Sequence, residues 1–172
     1  MSSRRLKNAI VGYVYRNALT VSSTGAASQK KVCTVGVLGD FLEHTSEEIQ
    51  QELAAVLDVS VAAITVVLYQ EKKDKEVVDS TVVSHNDFGW NGRLVGVAAA
   101  EFVKKDFDLL INYSKAPNLY LNVLTLLSNA AFKIGFTQAN SSLFDLTVTV
   151  PDCNTAVFHE EIKKYLTILN KL

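Results

Sequence analysis

The stretch from Phe107 to Phe136, FDLLINYSKAPNLYLNVLTLLSNAAFKIGF, constrains the fold more than any other part of the chain. FDLLINYS has the length and apolar composition of a buried strand. PNLYLNVLTLLSNAA carries Leu121, Leu124, Thr125 and Ser128 on successive helical turns, and FKIGF is again short and apolar. Pro117 suits the first turn of the helix, with Ser114 or Asn118 as its cap. Strand, helix and strand in this order form a β-α-β unit with its two strands parallel. The glycine of the closing Lys-Ile-Gly-Phe is expected to serve the backbone.

The same alternation runs through the rest of the chain. KKVCTVGVLGD is a β-branched run ending at Gly39-Asp40, in which Cys33 reads as buried packing. A helix follows, capped by Thr45 or Ser46, with Glu47 and Glu48 in its first turn and a buried stripe of Ile49, Leu53, Val56 and Leu57. VAAITVVLYQ is the next strand, EKKDKE a solvated turn, and residues 77–83 a short third strand. SHNDFGWNGRL reads as a loop and Leu94 to Lys104 as a short helix. FDLTVTV is the last strand, stopped by Pro151. In TAVFHEEIKKYLTILNKL, Val157, Ile162, Leu166 and Leu169 would face the core. The expected architecture is an α/β fold: a three-layer Rossmann-like sandwich with a mostly parallel sheet of five or six strands.

Ahead of this domain, SSRRLKNAIVGYVYRNALT places Leu6, Ile10, Tyr13 and Val14 on one helical face and Arg4, Lys7 and Asn8 elsewhere. VSSTGAASQ then reads as a linker. Residues 1–29 are thus expected to be a basic amphipathic helix and linker, and residues 30–172 a single α/β domain.

Charge limits the function classes. The formal net charge of -1 excludes a globally basic nucleic-acid binder, yet no acidic residue precedes Asp40, whereas Arg4, Arg5, Lys7, Arg16, Lys30 and Lys31 all do. An acid-free, basic amphipathic helix suits phosphates or anionic headgroups, so Arg4, Arg5, Lys7 and Arg16 are the candidate partner-binding residues. No apolar window is long enough for a transmembrane segment. The two cysteines lack metal-ligand spacing, which suggests a reduced, cytoplasmic compartment.

Motifs that carry chemistry are missing. The run Gly36 to Asp40 is neither a dinucleotide fingerprint nor a P-loop, and no Gly-x-Ser-x-Gly occurs. His44, His85 and His159 have no second histidine at ligand spacing and read as surface or capping residues, and the pair His85 and Asp87 has no nucleophile beside it. No catalytic residue, metal or cofactor is expected. Parallel sheets bind ligands outside the carboxyl ends of their strands. That rule points to Gly39, Asp40, the loop from Trp90 to Arg93, a polar rim of Asn112 to Lys115, and Thr137 to Asn140. The candidate ligand-binding residues are therefore Asn112, Ser114, Lys115, Trp90 and Arg93. Trp90 either meets a partner or plugs its loop onto the body.

DFGWNGRL, FVKKDFDLLINYS, LSNAAFKIGF, FDLTVTV and EEIKKYLTILN together resemble an uncharacterised family of roughly 170-residue proteins from Bacteroidetes, a domain of unknown function. The likeness covers residue 84 to the C-terminus, more loosely the basic helix and first strand, and implies no activity. Gly89 and Lys133-Ile134-Gly135-Phe136 stand where that family more often has Asn and Lys-Val-Gly-Arg. A weaker likeness over about thirty residues is to the N-terminal half of glycosyltransferases that extend lipopolysaccharide cores. The reading that follows is a non-enzymatic, cytoplasmic module that binds a macromolecular partner: RNA, a ribosome or the inner membrane surface. The competing reading is a nucleotide- or sugar-binding domain.

Overall fold

Six strands, all paired in parallel, form one sheet in the order β3-β2-β1-β4-β5-β6. The strands are β1 (Val35–Asp40), β2 (Ile64–Tyr69), β3 (Val82–Val83), β4 (Leu109–Asn112), β5 (Lys133–Phe136) and β6 (Leu146–Val148). The helices are α1 (Ser3–Val21), α2 (Ser46–Leu57), α3 (Val97–Lys104), α4 (Leu119–Leu127) and α5 (Thr155–Ile168). This computed structural model describes residues 3–21, 30–40, 45–71, 81–136, 141–151 and 154–172. Residues 137–140, His44, Cys153 and the start of the expected third strand lie outside them, as does most of the expected linker.

Alternation along each strand divides the interior into two cores. Val35, Val37, Leu109 and Ile111 point to the side covered by α2 and α5, while Leu38 and Leu110 point to the side of α3, α4 and α1. The result is the three-layer α/β sandwich that the strand and helix periods predict.

Local chemistry fixes the helix starts. Thr45 accepts from the Glu48 amide while the Glu48 carboxylate accepts from the Thr45 amide, so α2 opens with a capping box. Asn118 caps the Tyr120 and Leu121 amides of α4, and Asn154 caps Val157 of α5.

Three local expectations change. Cys33 is exposed, because residues 30–34 lead into β1 instead of extending it: the Cys33 and Thr34 amides donate to the carboxylate of Asp108, at 3.0 and 2.9 Å, and not to a strand ladder. In α5, Phe158 takes the core position expected of Val157, and Leu169 lies in the exposed C-cap. Gly135 provides space: a Cβ there would stand 2.6 Å from the Phe144 ring. The described glycine that needs a left-handed backbone is Gly92, with φ of 76°.

Candidate functional site

Helix α1 meets the domain with a mixed face, in which Arg4, Lys7 and Asn8 surround an apolar centre. Val11 and Tyr15, 1% and 7% exposed, join the core beside Tyr120 and Leu121. Around them Arg4 pairs with Glu71, the Lys7 ammonium donates to the His85 carbonyl at 2.7 Å, and Asn8 accepts from the Tyr120 hydroxyl at 2.5 Å. Partial burial pulls the Lys7 ammonium below the usual lysine range, against the pull of the Asp87 carboxylate. Of the expected apolar stripe, Leu6 and Tyr13 face away from the domain, Ile10 is partly buried and Val14 lies at the edge of the contact. Leu6 is 50% exposed and Tyr13 62%, with Val14 beside them and the exposed Arg5 and Arg16 along one flank.

The loop before α3 adjoins this helix. Ser84 caps a short 3-10 turn, and its amide and hydroxyl both donate to Asp87. Gly89 donates to the Arg93 carbonyl and Gly92 to that of Gly89, which closes a tight turn with Trp90 and Asn91 at its tip. Gly92 lies against α1, so near that a Cβ would stand 3.1 Å from a methyl of Val14. Trp90 is 49% exposed, and it shares the loop with exposed Arg93 and Val95 and leads to Val97, 72% exposed. The loop tip thus leaves Trp90 half outside. Of the four basic residues named on α1, Arg5 and Arg16 face outward, whereas Arg4 and Lys7 hold the helix to the domain.

The carboxyl edge of the sheet looks different. The order of strands reverses between β1 and β4, which is where an open parallel sheet has its crevice. Asn118 donates to Asp40 across this point at 3.2 Å. Asn112 and Ser114 lie behind the rim, both buried: the Asn112 amide donates to Thr125 at 2.9 Å and accepts from the Ser114 amide at 2.8 Å, while the Ser114 hydroxyl donates to the Ala116 carbonyl. Their polar groups hold the turn that follows β4. Lys115 and Asn118 are the partly exposed members of the stretch.

A further cluster escaped the sequence reading. His159, expected at the surface, is buried, with its Nε2 2.5 Å from the Tyr113 hydroxyl and its Nδ1 3.7 Å from Glu52. Burial pushes the Tyr113 hydroxyl well above the usual tyrosine range. A groove of about 520 Å³ lies outside the pair, between α2 and α5, lined by Ala55, Val56, Thr155, Glu160 and Lys163 among others. The signal was present: position 159 shares a helical stripe with the buried Ile162 and Leu166.

Among the described residues no group of three or more His, Cys, Asp and Glu is placed to hold a metal ion, and no helix is long and apolar enough to cross a membrane. No curated protein and no solved structure matches the chain. Residues 7–169 match the profile of a family described as a family of unknown function (DUF6913). The match starts at Lys7, within α1, and takes in nearly all of the α/β domain, and the chain therefore belongs to this family.

Proposed function

We propose that the protein is a binding module that docks on an anionic macromolecular surface through the face built by α1 and the Trp90 loop. The observation that carries this reading is the orientation of α1, with its ion pair and side-chain hydrogen bonds turned to the domain and Leu6 and Tyr13 turned away. A helix that only covered a sheet would carry polar side chains at such outward positions. A cytoplasmic protein peripheral to RNA, a ribosome or the inner membrane surface fits this reading. Because Val11 and Tyr15 belong to the core, the test uses exposed positions instead of deleting the helix. Arg5→Glu with Arg16→Glu should shift co-sedimentation with membranes or ribosomes toward the supernatant, most at low salt. Partition that ignores both salt and these substitutions sinks the reading.

The strand order supports a second reading, a nucleotide or nucleotide-sugar ligand at the β1/β4 crevice beside Asp40, Lys115 and Asn118. Ligand at 100 times its dissociation constant adds about 2.7 kcal/mol to stability, so a thermal-shift screen with nucleotides and nucleotide-sugars decides it. A flat screen removes it.

A further inference from the structure

We infer that the anionic surface met by α1 and the Trp90 loop is a lipid bilayer, on which the helix lies in the headgroup plane. This rests on the docking reading above and names its partner. The face combines two chemistries that an interface between water and acyl chains requires together. Leu6, Val14, Val95 and Val97 are aliphatic and exposed, and Tyr13 and Trp90 are amphipathic rings of the kind that settle at headgroup level. Arg5, Arg16 and Arg93 are exposed around them, and neither α1 nor the loop from Phe88 to Val97 contains an acidic residue.

Other occupants fit less well. RNA would use the arginines and the rings, but four aliphatic side chains offer neither a stacking plane nor a hydrogen bond. A second copy docked through the same face would offer the arginines of the first no carboxylate from α1 or the loop to pair with. A bilayer with anionic headgroups accepts the arginines at its surface and the aliphatic groups just beneath.

Trp90 is the single tryptophan of the chain, so its emission reports this face without labelling. The probe is vesicles of phosphatidylcholine with or without about one third phosphatidylglycerol, the latter also prepared with acyl-brominated lipid. The expected result is binding to the anionic vesicles only, with a blue shift of Trp90 emission and quenching by the bromines. Each basic residue near such a surface strengthens partition roughly fivefold. Arg5→Glu with Arg16→Glu should therefore weaken it at least about 25-fold. Leu6→Ser with Tyr13→Ser should abolish quenching, and both variants should keep the wild-type circular dichroism and melting curve.

The lipid inference is overturned by equal binding to both vesicle types, by binding without quenching, or by no binding. If vesicles fail while polyuridylate binds with strong salt dependence, the docking face stands and its partner is RNA. Concentration-dependent dimers blocked by Leu6→Ser would assign the face to a second copy. Failure of vesicles and polyuridylate, with no dimer, overturns the docking reading too.

Discussion

The hydroxyl of Tyr113, just beyond β4, stands 2.5 Å from Nε2 of His159 in α5, so one buried hydrogen bond ties the carboxyl end of a central strand to the last helix. Tyr113→Phe keeps the ring, which stacks edge-on against Phe158, and removes only the bond. Leaving a buried imidazole nitrogen without its partner should cost about 1 to 3 kcal/mol. Denaturant midpoints of the two proteins give the difference directly. Equal midpoints would show that the bond contributes nothing.

Three tyrosines should make the fold sensitive to alkali. Burial pushes Tyr69 up to about 12 and raises Tyr113 and Tyr120 as well. A folded value above the unfolded one of 10.0 means that stability is complete below pH 10 and falls as pH rises toward 12 and beyond. These phenols should ionise together with unfolding. Phenolate absorbance and far-ultraviolet circular dichroism followed in one titration test this, and full ionisation of all tyrosines in a chain that keeps its helical signal contradicts it.

Asp108 carries the acid side. Burial alone would raise its carboxyl, but Lys30 at 2.6 Å, the amides of Cys33 and Thr34 and the Thr34 hydroxyl together hold it below its ordinary 3.8. Its stabilisation is present above that value and is lost as pH falls through the lower folded value. Asp108→Asn should cost about 2 kcal/mol at neutral pH by weakening the clamp on the lead-in to β1. The gap from wild type should narrow at strongly acid pH. A gap that stays constant with pH would exclude the carboxylate charge as its source.

Gly135→Ala should destabilise by about 1 to 3 kcal/mol, since the new methyl would overlap the Phe144 ring in a strand with no room to shift. Phe144→Leu should recover part of the loss. If the double variant is no better than the sum of the single ones, the crowding is elsewhere.

The fold was legible because every core strand and helix carries its own period. Leu109 to Asn112 reads as a buried run, and the Leu121, Leu124, Thr125 and Ser128 stripe is buried along α4 and at its cap as spaced. What the period cannot say is which side of an amphipathic helix meets the domain. In α1 that choice depends on Glu71, His85 and Tyr120, 67, 78 and 112 residues away in the sequence, which accept or donate the bonds that its polar side offers. His159 and Asn112 were hidden for a related reason. A polar residue on a buried face becomes a core residue only when a partner such as Tyr113 or Thr125 stands opposite, and that pairing is a property of the packed chain.

Among the described residues the sheet ends on its two sides in strands of two and three residues, β3 and β6. An edge as brief as β6 offers few free backbone groups to recruit a strand from a neighbouring molecule. Growth by strand addition, the route from a folded domain to fibrils, thus finds little to pair with at the β6 margin. On the docking reading proposed above, contacts made by the exposed Leu6 and Tyr13 of α1 would join side chains to a partner without templating new sheet.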